Sequence, residues 1–251
     1  MNRLKPTVSL INYSIFSGNL SQIQNSNKTI INTINQYSFC LANENEEFKI
    51  ALQKSNVLLP DGMAIVSAVK LLSGAHIKKI AGADIHEFLL RDLNQNSGKC
   101  FYLGSSESTL SKIKIKVSNE FPNINVKTFS PAFTNNFSEI QNKEMINVIN
   151  EFKPDVLFVG MTAPKQEVWS YNHSHLLDAK IICSVGAVFD FYAGTILRPH
   201  PFWIKLRLEW FIRLVKEPKR MWKRYLYFGP VFIKLILEEK IYLYKKKSNL
   251  F

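Results

Sequence analysis

The 251-residue sequence predicts an α/β fold, a mostly parallel sheet flanked by helices, followed by a basic helical C-terminal appendage. Three observations carry that reading. Short apolar runs alternate with longer stretches of helical period, the pattern of parallel strands joined by crossover helices. The hydrophobic content, 46%, is enough for a sizeable core and argues against disorder. Charge is segregated as well: the last 54 residues hold 14 Lys and Arg against 4 acidic residues, while the first 197 hold 18 against 16. The tail therefore carries ten of the chain's twelve net positive charges.

Taken in order, residues 1–6 show no secretory leader and run into a short apolar stretch broken by Asn12 and Ser14. Strands are predicted at 29–33, 57–59, 100–103, 124–129, 156–159 and 181–185. Helices are predicted at 64–72, 85–93, 109–121 and 139–152. This alternation makes the body, residues 1–197, a Rossmann-like doubly wound sheet. Cys40, Cys100 and Cys183 are odd in number and lack ligand spacing, so they read as buried thiols in a reducing cytoplasm. No segment offers about 18 uninterrupted apolar residues, since the best stretch, 225–237, is broken by Gly229, Pro230 and Lys234.

The appendage, residues 198–251, holds three of the four tryptophans, Trp203, Trp210 and Trp222. Trp203, Leu206, Trp210 and Leu214 fall on one helical stripe, with Lys205, Glu209, Arg213 and Lys216 roughly opposite; Arg207 interrupts the apolar side. Pro218 is expected to start a helix at 217–227, and Gly229-Pro230 to separate it from a last helix. Basic residues interleaved with interfacial aromatics read as an element that meets an anionic membrane surface. Each Lys or Arg near such a leaflet contributes about 1 kcal/mol.

In sheets of this kind ligands bind beyond the carboxyl ends of the strands. Leu59-Pro60-Asp61-Gly62 puts a carboxylate there, and Asp61 could equally serve as a helix cap. Leu103-Gly104-Ser105-Ser106-Glu107 offers backbone N–H groups to a phosphate but lacks the G-x-G-x-x-G spacing of a dinucleotide site. The run from Val159 and Gly160 to Lys165, Gln166 and Glu167 does the same and adds a cation and an amide. Each loop is weak alone. Three on one side of one sheet point to a phosphorylated ligand.

Together these residues resemble the bacterial glycosyltransferase family WecG/TagA/CpsF, over about residues 29–227. The most specific pieces are Pro60-Asp61-Gly62, Lys78-Lys79 before Gly82-Ala83-Asp84, Pro164-Lys165-Gln166-Glu167, and Gly186 through Asp190 to Gly194. Leu208-Glu209-Trp210 with Arg213, then Glu217-Pro218 with Arg220, completes the match. The resemblance implies an inverting, metal-independent transferase with no cofactor. It implies a UDP-sugar as donor substrate and a polyprenyl-diphosphate-linked sugar as acceptor, met by a peripheral protein on the cytoplasmic face of the membrane. The family's proposed base maps onto Asp61, as inversion requires a carboxylate to take the acceptor hydroxyl's proton. Its Thr-x-Asn maps onto Thr33 and Asn35. Ligand contacts are implied at Gln166, Glu167 and Asp190, alongside the loop residues Gly104, Ser105, Gly160 and Lys165. Cations are implied at Lys79, Arg198, Arg213, Arg220 and Arg224.

Two positions depart from the family pattern. Lys79 stands where arginine is usual, keeping the charge and losing the planar fork that grips a diphosphate. Arg198-Pro199-His200-Pro201 replaces Arg-Ala-Pro at the entry to the tail. Histidines offer no metal site, because His173 and His175 point to different faces of a helix and no Asp-x-Asp lies nearby. A diphosphate would then be neutralised by loop N–H groups, Lys and Arg. Polysaccharide or cell-wall glycopolymer assembly is the expected setting, and a homo-oligomer is compatible with it. The alternative is a non-catalytic protein whose basic aromatic tail binds nucleic acid or membrane. The Pro-Asp-Gly and Pro-Lys-Gln-Glu loops favour the enzyme, with no nucleic-acid partner.

Overall fold

A computed structural model describes residues 6–23, 28–196, 203 and 209–248. After an N-terminal hairpin of β1 (Thr7–Leu10) and β2 (Tyr13–Phe16), the chain builds one parallel sheet of six strands. These are β3 (Thr29–Ile34), β4 (Val57–Pro60), β5 (Lys99–Gly104), β6 (Asn125–Phe129), β7 (Val156–Gly160) and β8 (Ile181–Ser184), in the order β4-β3-β8-β7-β5-β6. All six predicted strands are present, and every pairing in this sheet is parallel. β4, β7 and β8 are buried along their whole length, as expected of strands covered on both faces.

The four predicted helices are also present, as α3 (Met63–Ser73), α4 (Gly82–Gln95), α5 (Glu107–Glu120) and α6 (Glu139–Phe152). Their boundaries follow local chemistry. Ser138 caps α6 reciprocally with Gln141, and α3 stops at Gly74 in the left-handed conformation, φ 75°. Four helices of the body were not expected: α1 (Gln36–Glu44), α2 (Glu46–Gln53), α7 (Lys165–His173) and α8 (Val188–Ala193). All four are nine residues or shorter, too few turns for periodicity to register, and three of them lie on loops read only as ligand-binding.

Three apolar clusters hold the layers together. α4, α5 and α8 cover one face of the sheet through Leu90, Leu110, Ile113, Tyr102, Phe158 and Phe189. On the other face α6 and α7 cover Phe101, Leu103, Leu157 and Val159 with Met145, Ile149 and Trp169. The third cluster joins the hairpin, α1, α2 and α3 to the C-terminus. Cys40, Cys100 and Cys183 are free and buried as expected, and burial raises all three thiol pKa values.

In the C-terminal region α9 (Glu209–Lys216) and α10 (Pro218–Trp222, with Pro218 in the first helical turn) lead through a π-helical turn, Lys223–Tyr227, into α11 (Phe228–Ser248). Gly229-Pro230 does not separate two helices. It lies in the first turn of α11, where a missing N–H leaves no helical hydrogen bond unmade. α11 is no loose appendage: Phe228, Phe232 and Ile236 are buried in the same cluster as Leu10, Phe39 and Ile65. Lys240 Nζ donates to the Leu71 carbonyl at 2.7 Å and ties the helix to the end of α3.

Candidate active site

The carboxyl ends of all six parallel strands open into one cleft of about 1270 Å³. Its lining includes Thr33 and Asn35 after β3, Asp61 after β4, Gly104 and Ser105 after β5, and Ser130 after β6. Gly160 to Glu167 follow β7, and Val185 to Phe191 follow β8. α1, α4, α5 and α7 all begin at this cleft, so the positive ends of four helices converge on it.

Asp61 is half-buried at the tip of β4. Its N–H donates to the Ile34 carbonyl at 2.8 Å, which extends the β3–β4 pairing by one step and sets Asp61 beside the Thr33–Asn35 turn. Gly62 follows with φ 115°, a conformation that L side chains avoid, and this lets the chain turn into α3 directly after the carboxylate. Asn35 does double duty. Its Oδ1 caps α1, accepting from the N–H groups of Tyr37 and Ser38 at 3.0 Å each, so only its amide nitrogen remains for a ligand.

The centre of the cleft is shaped by close backbone approach. Gly104 has φ 110°, and a Cβ there would sit 2.5 Å from the Gly160 carbonyl oxygen. A Cβ on Gly160 would in turn strike the Phe189 ring at 2.4 Å. A side chain at Gly104 would push the β5 and β7 loops apart, and one at Gly160 would displace Phe189 of α8.

Gln166 and Glu167 are both buried and act first on the protein itself. Gln166 Oε1 accepts from the Met161 N–H at 3.1 Å, and its Nε2 donates to Glu167 Oε1 at 2.8 Å. Glu167, 3% exposed, has its second oxygen unpartnered, and burial pushes its pKa up to about 7. Lys165, expected to be an open cation, donates from Nζ to the Thr134 carbonyl and lies 3.5 Å from the centre of the Phe137 ring. Burial lowers its pKa. Asp190 lines the cleft from α8, and its carbonyl oxygen accepts from the Thr195 hydroxyl at 3.1 Å.

Among the cations, Arg224 reaches the cleft: its guanidinium lies 4.5 Å from the centre of the Tyr37 ring, in the π-helical turn that joins α10 to α11. Lys79 precedes α4 and is not among the lining residues. Arg213 and Arg220 belong to α9 and α10. Arg198 lies outside the described residues. The expected residues that the fold does gather are thus Asp61, Thr33, Asn35, Gly104, Ser105, Gly160, Lys165, Gln166, Glu167, Asp190 and Arg224.

Several parts of the cleft were not among the expected site residues, two of them at its centre and its β6 end. One is the start of α4, Ala81 and Gly82, where a Cβ on Gly82 would come within 3.1 Å of Val188. The other is the loop after β6, residues 130–137, whose only sequence signal was an ordinary cluster of turn formers. Outside the cleft, His86 is buried with Nε2 2.8 Å from the Tyr102 hydroxyl, and burial, then the nearby Lys116, lowers its pKa to about 3. It is a neutral core residue. Among the described residues no three His, Cys, Asp or Glu side chains group as a metal site.

The family model for glycosyl transferases of the WecG/TagA/CpsF family matches residues 4–246. Among curated proteins the chain is similar to the N-acetylglucosaminyldiphosphoundecaprenol N-acetyl-beta-D-mannosaminyltransferase of Bacillus subtilis (strain 168), at 30% identity over 84% of this chain and 80% of that one. The protein of the same name from Bacillus spizizenii (strain ATCC 23059 / NRRL B-14472 / W23) is 28% identical over 79% of this chain and 75% of its own. That from Staphylococcus aureus (strain MW2) is 26% identical over 89% and 85%.

Proposed function

The chain belongs to the WecG/TagA/CpsF family of glycosyl transferases, and from that premise we propose that it moves an N-acetylmannosamine-type or related hexose from a UDP-sugar onto a polyprenyl-diphosphate-linked GlcNAc. The names of its relatives, which describe transfer to N-acetylglucosaminyldiphosphoundecaprenol, support the acceptor class. One observation of the structure carries the reading: Asp61 stands at one side of a cleft whose centre is glycine-lined backbone and helix N-termini. In this reading the carboxylate serves as base and the backbone N–H groups receive a diphosphate.

The chemistry follows from this placement. The acceptor hydroxyl oxygen attacks the donor's anomeric carbon from the face opposite the UDP. Its proton passes to the Asp61 carboxylate while the bond from that carbon to the β-phosphate oxygen breaks, with inversion. Thr33 and the amide nitrogen of Asn35 hydrogen-bond the sugars beside Asp61. Charge developing on the departing UDP is met by the N–H groups of the Gly104 and Gly160 loops, the ends of α5 and α7, and cations of the C-terminal region, with no metal ion. Arg224 is the first of these cations, because it faces the cleft.

The exposed aromatics of the C-terminal region, among them Trp210, Phe211, Trp222 and Tyr227, alternate with Lys and Arg and would hold the protein on the anionic cytoplasmic membrane face, where its lipid-linked acceptor resides. Among the described residues no helix is long and apolar enough to cross a membrane. The deciding experiment supplies purified protein with a panel of UDP-sugars and a lipid-diphosphate GlcNAc, with and without EDTA. Transfer from one UDP-hexosamine, unchanged by EDTA, is expected. Absence of transfer from every donor would refute the proposal, and strict dependence on Mg²⁺ or Mn²⁺ would refute its metal-free form.

A further inference from the structure

Two neighbouring side chains at the start of α7 share a hydrogen bond inside the cleft wall, and they differ in what they have left to offer. Gln166 is held from three sides. Its Oε1 accepts from the Met161 N–H at 3.1 Å, and its Nε2 donates to Glu167 Oε1 at 2.8 Å. On the third side is Gly186, φ 52°, where a Cβ would come within 3.3 Å of both the amide oxygen and the amide nitrogen. An amide nitrogen carries two hydrogens, so one N–H of Gln166 remains after Glu167 has taken the other. Gln166 lines the cleft.

Glu167 has no such surplus. The resemblance implied a ligand contact at both positions, yet Oε1 of Glu167 is taken by Gln166 and Oε2 is buried without a partner. The residue is 3% exposed, and burial raises its pKa to about 7. An unpaired polar atom in the interior destabilises a fold, and an apolar side chain of similar length would fill the space without that penalty. What the carboxyl contributes is its bond to the Gln166 amide.

We propose that Glu167 is a positioning residue: it touches no substrate, and its carboxyl sets the angle at which the Gln166 amide presents its remaining N–H to the substrate. This rests on the transfer reading above and adds a part of the cleft wall that acts at one remove. Each bond has its own task. The Met161 N–H fixes which end of the amide is oxygen, because two donors facing each other repel. A single bond is a pivot about which the amide still turns. The second bond, to Glu167, stops that turn. Gly186 leaves open the space that the fixed amide occupies.

The test compares kcat/KM for transfer by full-length wild type, Glu167→Met, Glu167→Gln, Gln166→Met and the variant carrying both methionines, with the UDP-sugar that the panel above identifies. Glu167→Met should lose about 10- to 100-fold, the scale on which a slightly misplaced group slows an enzyme. Glu167→Gln still presents an acceptor oxygen and should recover most of that loss. In the Gln166→Met background, Glu167→Met should cost nothing further, because the group it orients is gone. The thermal midpoint of Glu167→Met should stay close to wild type, since methionine fills the same space and the lost carboxyl had an unpaired oxygen. Additive losses in the double variant, or full activity in Glu167→Met, would overturn the inference and leave the transfer reading intact. If Glu167→Met does not fold, Glu167→Asp takes its place. It keeps the carboxyl but ends one methylene short of the amide, and activity equal to that of Glu167→Gln would overturn the inference in the same way. Wild type that transfers no sugar at all would sink the transfer reading and this inference together.

Discussion

The strand-end cleft and the C-terminal region solve opposite problems. In the cleft, positions are set by the backbone: Asp61 by its hydrogen bond to Ile34, Gly104 and Gly160 by contacts too close for a Cβ, Gln166 by its bridge from Met161 to Glu167. In the C-terminal region, among the described residues, burial is confined to Met221 and one stripe of α11. Phe228, Phe232 and Ile236 enter the core, whereas Ile233, Leu237, Ile241 and Tyr244 on the same helix, and Trp210, Phe211 and Trp222 before it, face outward. Reaction chemistry needs atoms held to fractions of an ångström, and the cleft supplies that. The proposed membrane contact would need area and charge with little geometry, which is what an outward aromatic and basic face offers. Arg224, in the turn between the two stripes, is where the regions meet.

Four measurements would break or sharpen this contrast. Asp61→Asn keeps the size and polarity of the side chain but removes its basicity. Turnover should drop by roughly 10²–10⁴-fold with UDP-sugar binding nearly unchanged, and transfer within a few-fold of wild type would remove Asp61 as the base. Next in size is Phe232→Ala, which should cost about 3–5 kcal/mol in urea unfolding, the range for a large aromatic deleted from a core. A cost below about 1 kcal/mol would mean that the last helix only leans on the body. The charge boundary at 197/198 would then also be a packing boundary.

Glu167 gives a pH signature of the cleft's burial. Its folded pKa, about 7, lies above the ordinary carboxylate value of 4.5, so the native state keeps a proton that the unfolded chain has lost between those pH values. The contribution is therefore complete below about pH 4.5 and lost as pH rises to about 7, at most about 3 kcal/mol in all. Buried neutral His86 acts with the opposite sign, gaining stability as pH rises from about 3 to 6.5, so the comparison must be with Glu167→Gln at each pH. The wild-type advantage over Glu167→Gln should shrink from pH 4.5 to 7.5, and a constant difference would show that Glu167 titrates normally.

The smallest expected effect is Trp210→Ala. With the ring 44% exposed, stability should change by only about 0.5 kcal/mol, while sedimentation with anionic vesicles weakens. A large loss of stability there would place Trp210 inside a packed interface and end the contrast.

The parallel sheet was legible because strands covered on both faces are apolar, as β4, β7 and β8 are along their whole length, and short runs of that kind alternating with helical period allow few other folds. The hairpin of β1 and β2 was not: its strands are four residues long, and the turn uses Ile11 at φ 54°, a residue type that gives no turn signal. For the site, the Pro-Asp-Gly and Pro-Lys-Gln-Glu loops were legible as polar punctuation at strand ends, and the sheet order brought them together. Sequence could not assign the partners of those side chains. That Lys165 is held by Thr134 and Phe137, and Gln166 by Met161 and Glu167, depends on residues brought in by other strands or on the exact turn of one loop. The tail shows the same division. Its charge and aromatics were fixed by composition, which chain order preserves wherever the segment lies. The burial of Phe228, Phe232 and Ile236 against Leu10, Phe39 and Ile65 was decided only by packing, because burial belongs to pairs of surfaces and one segment supplies a single member of each pair.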